Sequence, residues 1–204
     1  MHFECGRFFH VYARANSEND LLFREIDNYI YFLKKYRKYI TPVFDTLSYC
    51  LIPNHYHLLV KVKNIEDIFA YQTIKHYKHK HDELKIDEFL QQQIANFHIS
   101  YAKAYNKKYN RRGTLFQPKP KAKEISDLNS CLRVCRYIHR NPIKHGLVER
   151  LDKWKYSSYQ DYTGDRKGTI PHRDLILSQF DSIGEFMNYN CLENDDYEMA
   201  FEEN

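Results

Sequence analysis

The stretch VFDTLSYCLIPNHYHLLVKVK, Val43–Lys63, decides how the rest of the chain is read. Its opening residues, 43–52, are rich in β-branched and aromatic side chains and predict a strand. Pro53-Asn54 predicts a turn and residues 56–63 the hairpin partner, so two adjacent antiparallel strands follow. Successive strand side chains point to opposite faces, which sets His55, His57, Leu59 and Lys61 on one face and Tyr56, Leu58, Val60 and Val62 on the other. The two imidazoles therefore stand side by side at a turn. Such a pair suits one divalent cation completed by at least one further ligand, and equally suits plain decoration of an exposed strand face.

Toward the N-terminus, residues 7–15 (RFFHVYARA) alternate Phe8, His10, Tyr12 and Arg14 with Phe9, Val11 and Ala13, the pattern of a first strand. NSEND at 16–20 offers N-caps, and Leu22, Ile26, Ile30 and Leu33 recur at helical spacing to about residue 40, where Thr41-Pro42 breaks the helix. Beyond the hairpin, residues 65–90 are polar and carry KHYKHKH at 75–81, either a solvated helix or an inserted loop. From Gln91, the positions Ile94, Phe97, Tyr101 and Tyr105 form a second helical face, closed by NKKYNRRG with Gly113 as its stop. The next strand is expected from near Thr114, and Ser126 or Asp127 caps a third helix that runs to about Arg140 and ends at Asn141-Pro142. The order is βαββαβ followed by a helix. It predicts an α+β, ferredoxin-like antiparallel sheet with helices on one face and the other face left available, plus an extra C-terminal helix. Residues 1–150 are read as one domain with 65–90 inserted, and 151–204 as a partly irregular extension ending in an acidic tail.

The chain has 204 residues, enough to bury roughly two-thirds of the surface of its unfolded form. Eighteen Tyr and 13 Phe against 6 Gly are a marked aromatic bias, usable for a core or for stacking on bases. Net charge is only +4, but positive charge gathers at 75–81 and from Lys103 to Lys123, while Glu193–Glu203 is acidic. The five Cys (5, 50, 131, 135 and 191) form no CxxC pair, and their odd number excludes a complete intramolecular disulfide set. Cys131 and Cys135, without partners at zinc-site spacing, are expected as buried small apolar residues. With neither a signal-like start nor a run of about 20 apolar residues, the expected location is cytoplasmic, with no membrane partner.

RYIHRNP at 136–142 adds chemistry, because Tyr137 and Asn141 stand four apart and project from one side of the third helix. A phenol can act as a covalent nucleophile, although its ordinary pKa near 10 requires the site to help ionise it. A cation on the His pair would do this and would offset charge on a phosphodiester as it reacts.

Five segments in order, FHVYARAN at 9–16, PNHYHLLV at 53–60, NKKYNRRGTLFQ at 106–117, YIHRNPIKHGLVE at 137–149 and WKYSSYQDY at 154–162, resemble the REP-associated tyrosine transposase family of the HUH endonuclease superfamily. The resemblance implies His55 and His57 as metal ligands, Tyr137 as the nucleophile and Asn141 as a third, amide-type ligand. It implies Mg²⁺ or Mn²⁺ as cofactor, although His alone would accept zinc. The activity implied is cleavage and rejoining of single-stranded DNA at hairpin-containing sites, leaving a 5′ phosphate on Tyr137 and a free 3′ hydroxyl. No nucleotide cofactor is needed, and no Gly-rich phosphate loop is found. Lys107, Lys108, Arg111 and Arg112, with Lys119, Lys121 and Lys123 spaced by two on one strand face, are the expected DNA surface. Departures are QPKPKAKE at 117–124, where Pro118 and Pro120 forbid a regular central strand so that the fourth strand is an edge or starts late, the long 65–90 segment, and the 151–204 extension. The alternatives are a catalytically silent hairpin DNA- or RNA-binding regulator and a metal-dependent hydrolase in which Tyr137 is structural. A monomer is expected, with a homodimer that exchanges its tyrosine helix as the other possibility.

Overall fold

The computed structural model describes residues 2–17, 20–75 and 85–192. Four strands, β1 (Phe8–Arg14), β2 (Phe44–Ile52), β3 (His55–Val62) and β4 (Lys121–Ile125), form one sheet in the order β2-β3-β1-β4. Every pairing is antiparallel. The principal helices are α1 (Ile26–Tyr39), α2 (Ile65–Ile74), α3 (Ile86–Lys108) and α4 (Leu128–Lys144). After a single 3-10 turn at Leu151–Lys153 come α5 (Tyr159–Thr163), α6 (Asp174–Leu177) and α7 (Ile183–Cys191).

The period-two alternation of β1 and β3 explains one core. Phe9, Val11, Ala13, Tyr56, Leu58, Val60 and Val62 pack with Phe32 and Tyr36 of α1 and with Leu90, Ile94, Phe97 and Tyr101 of α3. The opposite face is not left available. Over β2 and β3 it is covered by α4, whose Cys131, Val134, Cys135 and Ile138 fall at helical spacing and meet Leu47, Cys50, Ile52 and Leu59. Tyr159, Tyr162, Ile176 and Phe186 of the later elements complete this second core, so helices lie on both faces of the sheet. β2 shows it directly: from Thr46 to Ile52 every residue is buried, so both sides of that strand are covered.

Two further expectations are corrected. The fourth strand starts not near Thr114 but at Lys121 and lies at the sheet edge, the late edge strand that Pro118 and Pro120 imply, since neither has an N–H to give to a ladder. Before the prolines, Asn16 N–H donates to Leu115 O at 2.9 Å and Gln117 N–H to Arg14 O at 3.0 Å, extending the contact with β1. Nor does α4 stop at Asn141-Pro142: it runs to Lys144 with Pro142 inside. The missing donor falls in the last turn, where His145 N–H donates to Asn141 O (3.1 Å) and Leu147 N–H to Pro142 O (2.9 Å).

The outer edge of β2 is closed by the chain after α4. Leu51 N–H donates to Tyr156 O and Ser158 N–H to Tyr49 O, each at 2.9 Å, and His172 N–H donates to Thr46 O at 2.7 Å. Such a strap satisfies backbone groups that would otherwise invite pairing with another chain. Residues 65–74 form a helix, while most of the basic run 75–81 and the acidic tail lie outside the described residues. All five cysteines are free, and burial pushes the Cys131 and Cys135 thiols up to about 12. Among the described residues no helix is long and apolar enough to cross a membrane.

Candidate active site

Register assembles the site. On β3, His57 lies opposite Tyr12 of β1, which lies opposite Lys121 of β4, and one pleat along Leu59, His10 and Lys123 are aligned. Paired residues share a face, so His55, His57, His10, Tyr12, Lys121 and Lys123 all lie on the side that α4 crosses. Helix α4 is started by Asp127, whose carboxylate accepts from Ser130 N–H at 2.8 Å, and brings Tyr137 and Asn141 down over the histidine pair.

The contacts are close. The His55 and His57 rings are 5.0 Å apart and perpendicular, and the Tyr137 ring meets His57 edge-on at 5.4 Å and His10 at 6.0 Å. His55 Nε2 is 3.2 Å from Asn141 Oδ1, and its Nδ1 is 2.8 Å from Asn54 Oδ1. His57 Nδ1 is 2.9 Å from His10 Nε2. His57 Nε2 and Asn141 Nδ2 are buried without a hydrogen-bond partner. The Lys144 ammonium lies 5.9 Å from the Tyr137 ring centroid, and the His145 ring 4.8 Å from that of His55.

Burial, then the positive field of His145 and Arg14, lowers His55 to about 3, and burial with the neighbouring histidines holds His57 well below the usual imidazole range. Burial and Lys123 lower His10 to about 3. All three rings are neutral at physiological pH, the form that offers a lone pair to a metal. Among the described residues no cluster of three or more His, Cys, Asp or Glu stands ready for a metal, and the further oxygen nearest His55 Nε2 on α4 is the Asn141 amide oxygen, at 3.2 Å. In one tautomer His55 Nε2–H donates to Asn141 Oδ1 across the 3.2 Å contact; in the other, with Nδ1–H donating to Asn54 Oδ1, both atoms offer lone pairs that a shared cation could use. The orphaned His57 Nε2 fits the same ion.

The seven basic residues expected on a DNA surface are divided by the fold. Lys121 and Lys123 are exposed on the site's face, whereas Lys119 lies before the strand and so does not complete a row with them. Lys107 and Arg112 are exposed at the end of α3 and in the loop after it. Lys108 is bound by Glu25 (2.9 Å) and Asp27 (3.2 Å), and Arg111 by Asp20, so these two secure the entry to α1. His139 belongs to the scaffold, with Nε2 2.9 Å from Ser158 Oγ and Nδ1 3.0 Å from Asn190 Oδ1. Sequence reasoning missed His10 and Asn54; the signal for His10 was its place in the β1 alternation, on a face that pairing with the His-Tyr-His strand turns toward the site.

Fold and site define a class: an α+β protein whose four-stranded antiparallel sheet sets a pair of buried histidines beneath a tyrosine-bearing helix. No family model matches the chain. Over 119 residues, 57% of the chain, it is 28% identical to a Haemophilus influenzae protein assigned, as a candidate, to the REP-associated tyrosine transposases. The match spans 59% of that relative. In fold, the chain is similar to the solved structure of a REP-associated tyrosine transposase bound to a REP hairpin, with a TM-score of 0.59 and 15% identity, covering 83% of this chain and 87% of that one. The chain is thus similar in sequence and in fold to REP-associated tyrosine transposases, in line with the resemblance carried by its motifs.

Proposed function

We propose that the protein is a metal-dependent single-stranded DNA endonuclease and strand transferase of the HUH type, acting on hairpin-containing DNA through a 5′-phosphotyrosine on Tyr137. One observation carries this reading: Tyr137 and Asn141, one turn apart on α4, meet His57 and His55 at contact distance. The sheet is read as a ferredoxin-like unit, and its last helix as the nucleophile's carrier. His55, His57 and Asn141 would hold Mg²⁺ or Mn²⁺, which supplies Lewis-acid polarisation of the scissile phosphate and offsets its developing charge.

The chain's own groups do the rest. The Tyr137 phenolic oxygen attacks phosphorus and loses its proton as the bond forms; the bond to the 3′ oxygen breaks, and that oxygen leaves as a hydroxyl. Attack by a 3′ hydroxyl on the same phosphorus reverses the step, and because the phosphotyrosine keeps the energy of the cleaved bond, no nucleotide is consumed. The Tyr137 ring is held edge-on by His57 and His10, which restricts the attack angle. Lys121 and Lys123 lie along the open edge of the site, where a phosphate backbone would pass. A solved relative is bound to a REP hairpin, which supports hairpin DNA as this chain's substrate class. The histidines and Tyr137 of one chain already touch, which supports a site built in cis by a monomer.

Incubation with Mn²⁺ and an end-labelled single-stranded hairpin tests the proposal. The expected result is one nick, abolished by chelation and by His57→Ala. Cleavage that survives both would refute it.

A further inference from the structure

The hydrogen bond between the two buried imidazoles His10 and His57 leads beyond the metal ligands themselves. His10 is fully buried, and its ring lies stacked at 5.1 Å and 27° against that of His57, with 2.9 Å between His10 Nε2 and His57 Nδ1. One proton serves that contact, and its position decides what His57 presents at its other nitrogen. If His10 were the donor, His57 would carry its proton on Nε2, a buried donor with nothing to receive it. If His57 is the donor, its Nδ1–H is satisfied by His10 and Nε2 is left as a lone pair, which a cation beside His55 and Asn141 can use. His55 repeats the arrangement with a different acceptor: its Nδ1 lies 2.8 Å from Asn54 Oδ1, and its Nε2 turns toward Asn141.

We infer that His10 is a positioning residue: by accepting the Nδ1 proton of His57 it fixes the tautomer and ring orientation in which His57 Nε2 can bind a divalent cation. The inference rests on the metal reading of the site. Acceptors behind metal-bound histidines hold the ring in place and raise its basicity, and losing one weakens metal binding by about 10- to 100-fold. His10 does this without adding charge, so the set of His55, His57 and Asn141 stays neutral, and the acceptor is a rigid ring already packed between Tyr12 and Tyr137.

Three measurements test it. In metal-free protein labelled with ¹⁵N-histidine, imidazole correlation spectra should place the His57 proton on Nδ1; a proton on Nε2 would overturn the assignment, whatever any variant does. Mn²⁺ titrations read by electron paramagnetic resonance should show binding weakened about 10- to 100-fold in His10→Phe, which keeps bulk but has no acceptor, and largely retained in His10→Gln, whose amide oxygen can accept. Equal Mn²⁺ affinity in wild type and His10→Phe would overturn the role of His10 while leaving the metal reading intact. A wild-type protein that takes up no Mn²⁺ would remove the metal reading and this inference with it. If His10→Phe does not fold, the spectra of the wild type alone decide.

Discussion

The proposed donor set, His55, His57 and Asn141, carries no formal charge, and hard divalent cations are held more tightly as ligand charge increases. Asn141→Asp is therefore expected to tighten Mn²⁺ binding by on the order of tenfold, and calorimetry showing equal or weaker binding would count against a cation at this point. Proton linkage gives a second expectation. Burial lowers His10, His55 and His98 to about 3 and His139 to about 4, while in the unfolded chain each titrates near about 6.5. The unfolded state thus takes up protons first, so stability is complete above about pH 6.5 and is lost as pH falls toward 3. Melting temperatures of metal-free protein should be level at neutral pH and decline steadily below it. At this scale the juxtaposition in the candidate site was partly legible: strand alternation put His55 and His57 on one face and helical spacing put Tyr137 and Asn141 on one side of α4, while their roles rest on the resemblance. His10 was not, because its contact with His57 depends on the register between β1 and β3, which is set by pairing across 47 residues of chain.

Among the elements, β4 and α4 bear most on function. Lys121→Ala with Lys123→Ala should reduce the dependence of single-stranded DNA affinity on salt by roughly 0.7 in log–log slope for each phosphate contact removed. Lys108→Ala should leave that slope unchanged, since its ammonium is already engaged by Glu25 and Asp27. Fluorescence anisotropy across a salt series separates the two outcomes. The strap over β2 is anchored by Asp161, fully buried, whose carboxylate accepts from Arg166 Nε and Nη2 at 2.7 Å each and from Gly168 N–H at 3.0 Å. Arg166 is 31% exposed and keeps its bonds to Tyr49 and Ser157, so Asp161→Ala should cost about 1–3 kcal/mol in urea unfolding. Gly168→Ala should also destabilise, because a Cβ there would stand 2.3 Å from Asp161 Oδ1. The late start of β4 was readable from Pro118 and Pro120, whereas the run of α4 through Pro142 was not, since a proline in a last turn forfeits a single bond. The covering of both sheet faces shows in the unbroken burial of β2 from Thr46 to Ile52, but its sequence mixes Asp45, Thr46 and Ser48 with apolar residues, and alternation in β1 and β3 drew attention to one face only.

At the level of the whole molecule, residues 151–192 share a core with α4, the helix that carries Tyr137. Leu151, Tyr159, Tyr162, Ile176 and Phe186 are all buried there. At roughly 1.5–3 kcal/mol for each large buried side chain, their loss would rival the net stability of about 5–15 kcal/mol typical of a domain. A chain ending at Arg150 should therefore not unfold cooperatively in urea; a soluble fragment with a sharp transition would show that the extension is dispensable. The extension's irregular segments hid this in the sequence, because short helices of four to nine residues leave little periodicity to read. The central claim, a covalent link between Tyr137 and DNA, is tested most directly by mass spectrometry of protein incubated with Mn²⁺ and hairpin DNA, then denatured and digested. The account predicts a nucleotide adduct on the peptide containing Tyr137, absent from Tyr137→Phe. Nicked DNA with no adduct, or an adduct that persists in Tyr137→Phe, would contradict it.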